Sequence, residues 1–140
     1  MREILFRGQL LPTKRRWIYG SMVMLDEEHV FICPRCEEAS TLSCNQIIRL
    51  SSEQVAPETI CQYTGINDKE GKPIFEGDIL RMDTFSPDVC EVRFIEGAFC
   101  LQFPGAPYPV DIHYVHHADR PQATVIGNIY DDIKLLEVKS

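Results

Sequence analysis

The chain has 140 residues, of which 44% are hydrophobic and 25% are charged. This length suffices for one ordinary domain or two small lobes, and the composition is typical of a globular protein. The formal net charge of -7 argues against general nucleic-acid binding, which needs clustered positive charge opposite the phosphates.

The N-terminus carries no targeting pattern. Met1-Arg2-Glu3 is not followed by an apolar stretch long enough for a signal peptide or a membrane span. We therefore expect a cytoplasmic protein without membrane contact. In that compartment the six cysteines are expected to be thiols or metal ligands rather than disulfides.

The first part of the chain alternates apolar and polar residues, which is typical of β-strands. A polar turn containing Lys14-Arg15-Arg16 separates the first two predicted strands. We interpret this basic run as a solvent-facing turn tip rather than a nucleic-acid site. The predicted strands cover residues 4–10, 17–25 and 29–32, which together form a β-meander; residues 34–52 are a predicted loop with a short strand at 47–50.

A new unit is predicted to begin at Pro57, because the proline and its polar flank are typical of a boundary between lobes. The predicted domains are therefore residues 1–56 and 57–140. Residues 67–72 are dense in turn-forming residues, and Gly71 can adopt the left-handed conformation that closes such a turn. Gly77 is predicted to permit a bulge or bend, after which Ile79 faces the core.

The rest of the chain continues as short strands with frequent turns. Glu96-Gly97 is the predicted turn of a hairpin. This pattern favours a small barrel or sandwich over a parallel α/β sheet. The predicted strands cover residues 73–81, 90–95, 98–103, 110–116 and 124–130, and residues 131–136 are a predicted terminal helical turn.

Cys33-Pro34-Arg35-Cys36 is the sharpest local motif, because two thiolates at this spacing can bind one tetrahedral zinc ion. A closed site needs four ligands, and a second Cys-x-x-Cys pair is absent from the sequence. His29, Cys44 and Cys61 could complete the set. The alternative is two ordinary thiols at the end of a strand.

His113, His116 and His117 cluster with Asp111 and Asp119. On a strand, His113 and His117 would share a face, and a metal site or a general base could be built from them. The alternative is a polar edge strand and loop, which we favour because no activated nucleophile is suggested.

Three carboxylates and three aromatic residues each allow both a functional and a structural interpretation. Asp68, Glu76 and Asp78 could act as acids or bases, but they lie at turns, where their side chains can bond the backbone. The aromatic residues could line a peptide-binding groove or fill the core, and we favour the core. These aromatic residues are Tyr63, Phe75 and Tyr130. No residue is therefore assigned as catalytic, cofactor-binding or metal-ligating, and no cofactor is expected.

Four phrases of the sequence, in order, resemble the YopX-like proteins of phages and prophages. They are Arg2–Gly8 (REILFRG), Trp17–Gly20 (WIYG), Gln62–Ile79 (QYTGINDKEGKPIFEGDI) and Val125–Tyr130 (VIGNIY). The resemblance spans the chain, although the middle segments diverge. Asp132-Ile133 departs from the Asn-Pro that often follows in the family, and the cysteines at 33, 36 and 44 are not part of the family pattern.

The resemblance implies a mainly β protein with a β-rich N-terminal lobe followed by a small SH3-like barrel. It also implies a phage or prophage origin and no established enzymatic activity. We therefore expect a non-enzymatic protein-binding or self-assembly module in the bacterial host, either as a homo-oligomer or with a protein partner. The alternatives are a zinc-binding protein with a structural cysteine site and, more weakly, a nucleic-acid-binding module.

Overall fold

The computed structural model describes residues 3–34, 43, 51–83, 87–116 and 123–137, apart from the side chains of Tyr114 and His116. Contacts divide the chain into two compact units, Met1–Tyr63 and Thr64–Ser140. The predicted division at residues 56 and 57 stays a prediction. The elements, in chain order, are β1 (Phe6–Gln9), β2 (Trp17–Met24), β3 (Val30–Cys33), β4 (Glu53–Val55), η1 (Pro57–Thr59), β5 (Cys61–Asn67), β6 (Pro73–Phe75), β7 (Asp78–Met82), β8 (Val89–Ile95), β9 (Ala98–Gln102), β10 (Val110–Asp111), η2 (Ile112–His116), β11 (Ala123–Asn128) and η3 (Ile133–Leu136), where η denotes a 3-10 helix.

The first unit contains the predicted antiparallel meander, extended by β4 and by the start of β5. Its strands lie in the order β4-β3-β2-β1, followed by the start of β5. The residues that follow β1 contact β4. Leu10 forms a β-bridge with Val55, and the Leu11 N–H donates to the Gln54 carbonyl at 3.1 Å. The core consists of Ile18, Val30, Ile32 and Val55, with Phe6, Leu10, Met22 and Ile60 packed against it.

The second unit contains the end of β5, the adjacent β6 and a separate five-stranded antiparallel sheet in the order β10-β9-β8-β7-β11. The predicted hairpin at Glu96-Gly97 is confirmed: both residues have positive φ, 49° and 84°, as tight hairpin turns require. The core of this unit consists of Ile74, Leu80, Met82, Cys90, Val92, Leu101, Phe103, Ile112, Val115 and Ala123.

The mainly β class is confirmed. The SH3-like barrel is not confirmed, because neither sheet closes into a barrel within the described residues. The strand predicted for residues 110–116 is wrong after Asp111. There the Asp111 carboxylate accepts the N–H of His113, a residue of η2, at 2.8 Å, so the strand ends and the 3-10 helix begins. The strand predicted at 47–50 lies outside the described residues.

Candidate functional site

Asp68, one of the three candidate acids, is buried and bound to the backbone. Its Oδ1 accepts the N–H groups of Glu70 and Lys72, both at 2.9 Å, and its Oδ2 accepts the Val125 N–H at 3.0 Å. Burial alone would raise the pKa of Asp68, but these three hydrogen bonds and the charge of Lys72 outweigh it and hold the pKa below its ordinary value. The carboxylate therefore fastens the turn at 67–72 to β11.

The second acid, Asp78, has a similar structural function. It is 1% exposed, and its Oδ2 accepts the Phe75 N–H at 2.8 Å across the turn between β6 and β7. Gly77, inside that turn, has a φ of 85°, which confirms the predicted bend. Glu76 in the same turn is half-buried. Hydrogen bonding to backbone thus accounts for two of the three carboxylates that suggested acid–base chemistry.

The described members of the cysteine set do not converge. Cys33 ends β3, and His29 precedes it by four residues, about 13 Å along an extended chain. Cys61 lies on β5, three strand spacings or about 14 Å from β3. These separations exceed what a tetrahedral zinc ion with ligands at about 2 Å can bridge. Cys36 and Cys44 lie outside the described residues.

The histidine cluster is described only in part. The Nδ1 of His113 lies 2.6 Å from the Asp111 Oδ1, and both side chains are exposed. Hydrogen bonds from the backbone and the ring of His113 hold the pKa of Asp111 below its ordinary value. The side chain of His116, and all of His117 and Asp119, lie outside the described part. Among the described residues no group of three His, Cys, Asp or Glu side chains could hold a metal ion.

The aromatic candidates do not form a groove. Tyr63 and Phe75 are buried, with 9% and 3% of their surface exposed, and Tyr130 is partly exposed at 36%. The predicted core assignment is therefore confirmed for the first two. The basic run Lys14-Arg15-Arg16 is exposed, as predicted, and Lys14 forms an ion pair with Glu58.

A concave surface in the second unit fits a binding site better than the carboxylate, cysteine, histidine and aromatic candidates do. We call it the η3 surface; its hollow has a volume of about 470 Å³. Leu135 and Ile133, both on η3, are 44% and 56% exposed, and Leu135 lines the hollow. The lining residues are Arg81, Pro87, Asp88, Val89, Pro104, Ile126, Lys134, Leu135, Leu136 and Glu137.

Local hydrogen bonds position η3. The Asn128 Oδ1 accepts the N–H groups of Tyr130 and Asp131, each at 3.0 Å, which turns the chain after β11. The Asp132 N–H donates to the Asn128 carbonyl at 2.8 Å, and Asp132 Oδ2 accepts the Asn128 N–H at 3.2 Å. A Cβ on Gly127 would lie 2.6 Å from that Oδ2, so a side chain there would displace it. The closing phrase VIGNIY thus sets the position of η3.

A second hollow, which we call the turn surface, lies in the first unit. Leu10, Leu11, Pro12, Glu53 and Gln54 line it, and its volume is about 490 Å³. Leu11 is 37% exposed. Glu53 is the charged residue among those that line the hollow, and the exposed basic run begins two residues after Pro12.

Backbone groups at both ends of the outer edge of β11 already have hydrogen-bond partners. The Ala123 carbonyl accepts the Lys69 N–H at 3.0 Å, and the Val125 N–H donates to Asp68. The Asn128 N–H donates to Asp132. A partner strand cannot pair with groups that are already bonded, so addition of a strand at β11 is disfavoured.

Sequence reasoning missed both surfaces. The residues 131–136 were correctly predicted to form a helical turn, but the pattern did not show which of its apolar side chains stay exposed. The described residues include no helix of the length and apolarity that crossing a membrane requires.

Comparisons with known proteins identify relatives by sequence and by fold. The family model described as YopX protein matches residues 11–137. A crystal structure of protein EF1440 from Enterococcus faecalis superposes with a TM-score of 0.59 at 22% identity, covering 98% of this chain and 100% of the other. At that identity the likeness shows the fold alone. No curated protein matches the chain.

Proposed function

Because the chain belongs to the YopX protein family, and the resemblance implies no established enzymatic activity, we propose that it is a non-enzymatic protein-binding module whose contact region is the η3 surface. One observation carries this proposal. Leu135, a large apolar side chain that is 44% exposed, lines a concave surface, Ile133 is exposed on the same 3-10 helix, and local hydrogen bonds from Asn128 and Asp132 position that helix. Exposed apolar groups in a hollow with a charged rim are the usual features of a protein-binding surface.

The described side chains that suggested catalysis support the same proposal. Asp68 and Asp78 are bound to backbone N–H groups, and His29, Cys33 and Cys61 lie too far apart to share an ion. The phage or prophage origin stays a prediction from the resemblance, and the cytoplasmic location stays a prediction from the N-terminal sequence.

Site-specific photo-cross-linking tests the proposal. A photoreactive phenylalanine analogue replaces Leu135 in one variant and Leu25 in a control variant. Leu25 is 71% exposed but lines neither hollow. We expect cross-links to a protein from position 135 only, followed by binding of the purified partner that weakens at least about tenfold in Leu135→Asp. Equal cross-linking from both positions, or none, would contradict the proposal.

A further inference from the structure

β11 is the last strand at one edge of the five-stranded sheet, where it pairs with β7. Its six residues, Ala123–Asn128, carry no charge, and three of them in a row, Thr124, Val125 and Ile126, are β-branched. An uncharged, β-branched strand at a sheet edge is the kind of segment to which a strand of another molecule adds. Many proteins place a lysine or a proline on such a strand to prevent this addition, and β11 has neither. The protection of this edge therefore has to come from another part of the chain.

The turn at residues 67–72 between β5 and β6, which we call the edge cover, lies against the outer edge of β11. Its Lys69 N–H donates to the Ala123 carbonyl at 3.0 Å. Two residues farther along β11, the Val125 N–H donates to the Asp68 Oδ2 at 3.0 Å. Backbone groups of residues i and i+2 of a strand point to the same edge, so these two bonds replace bonds that a neighbouring strand would form. The edge cover thus occupies the position of a further strand.

The side chain of Asp68 links the shape of the edge cover to its attachment. Within the turn, its Oδ1 accepts the N–H groups of Glu70 and Lys72, and the Asp68 N–H donates to the Lys72 carbonyl at 2.8 Å. Its Oδ2 is the atom that accepts the Val125 N–H. Loss of this carboxylate therefore loosens the turn and removes one of its two backbone attachments to β11 in a single step.

We propose that the edge cover is an intramolecular block on strand addition at β11, and that its release lets β11 pair with β11 of a second copy. Two antiparallel copies of this strand place no like charges opposite each other, because the strand has no charged residue. The contact joins identical strands about a two-fold axis, so it closes at a dimer. The inference concerns the backbone edge of β11 rather than the apolar side chains of the η3 surface, and it goes beyond the proposed function.

Replacing Asp68 by alanine tests the inference, with Asp78→Ala as the matched control. Both aspartates are buried and accept backbone N–H groups, but Asp78 fastens the turn between β6 and β7. At low protein concentration, we expect the Val125 amide to exchange with deuterium at least about tenfold faster in Asp68→Ala than in Asp78→Ala. In sedimentation velocity, Asp68→Ala dimerises at least about tenfold more strongly than the wild type, and Asp78→Ala associates like the wild type.

A second substitution shows whether β11 forms the contact. Thr124 lies opposite Arg81 on β7, so Thr124→Glu is accommodated in one molecule but places two like charges in a contact between two β11 strands. We expect Asp68→Ala/Thr124→Glu to associate like the wild type. Folded Asp68→Ala that associates no more than the wild type or keeps slow Val125 exchange, equal association of Asp78→Ala, or association that survives Thr124→Glu would overturn the inference. Where an alanine variant fails to fold, as judged by circular dichroism, the asparagine variant at the same position replaces it.

Discussion

Single residues of the long phrase at 62–79 have structural explanations that can be measured. Asp68 accepts three backbone N–H groups, and a carboxylate can do so because both oxygens are acceptors. An asparagine side chain has one acceptor oxygen and one NH₂ group. In this position its NH₂ group would face a backbone N–H, and that hydrogen bond would be lost. We expect Asp68→Asn to lower the free energy of unfolding by about 1–3 kcal/mol, measured by chemical denaturation. The matched control is Asp83→Asn, which removes an exposed ion pair with Lys69. We expect it to change the free energy of unfolding by less than about 1 kcal/mol.

The same residue predicts a dependence of stability on pH. The pKa of Asp68 is lower in the folded protein than in the unfolded chain. Its contribution to stability is therefore fully present above the unfolded pKa and is lost as the pH falls through the folded pKa. We expect the difference in melting temperature between wild type and Asp68→Asn to shrink on acidification below about pH 4. A difference that is constant down to strongly acidic pH would contradict this.

The cysteines of the second unit should differ sharply in reactivity. Burial raises the pKa of Cys90 to about 12, so its thiolate is scarce at neutral pH. Cys100, on the neighbouring strand, is only partly buried. We expect iodoacetamide to label Cys100 in the native protein and Cys90 only after denaturant is added, as read by peptide mass spectrometry. Equal labelling of both in the native state would show that the second core is open.

At the scale of elements, two glycines of the resembling phrases are explained by close packing. A Cβ on Gly20 would lie 2.1 Å from the Cys33 carbonyl oxygen, a backbone atom that cannot turn aside. A Cβ on Gly8 would lie 2.9 Å from a methyl group of Val55, a side chain that can shift. We expect Gly20→Ala to destabilise by about 3 kcal/mol or more and Gly8→Ala by about 1–2 kcal/mol, measured by denaturation. The reverse order would mean that β2 and β3 are farther apart than the structure has them.

Most strands could be predicted from sequence because alternating apolar residues and turn-forming glycines are local signals. Gly65, Gly71 and Gly77 do have positive φ, at 85°, 84° and 85°. β4 was missed because Glu53-Gln54-Val55 has a single apolar residue and forms a strand through pairing with β3 and Leu10. The strand predicted through residue 116 failed because the Asp111 side chain starts a turn, a local competition that apolar alternation does not reveal.

At the scale of the whole molecule, the candidate surfaces could not be predicted from sequence. Ile133 and Leu135 occupy a helical turn in which either burial or exposure fits the pattern, and only the packing of β8 and β11 around η3 decides which occurs. The turn surface likewise depends on Glu53 and Gln54 lying beside Leu11, more than forty residues earlier in the chain. Net charge alone indicated an acidic protein, and thirteen of its 21 acidic residues belong to residues 64–140.

The central claim is that the recognisable phrases specify the fold, whereas the η3 surface carries the binding. Measuring stability and binding of the cross-linked partner side by side in Asp68→Asn and Leu135→Asp tests it most directly. We expect Asp68→Asn to lower the free energy of unfolding while its folded form binds the partner like the wild type. Leu135→Asp should leave stability within about 0.5 kcal/mol, as surface substitutions usually do, and weaken binding at least about tenfold. The opposite assignment, with binding lost in folded Asp68→Asn and retained in Leu135→Asp, would contradict the account.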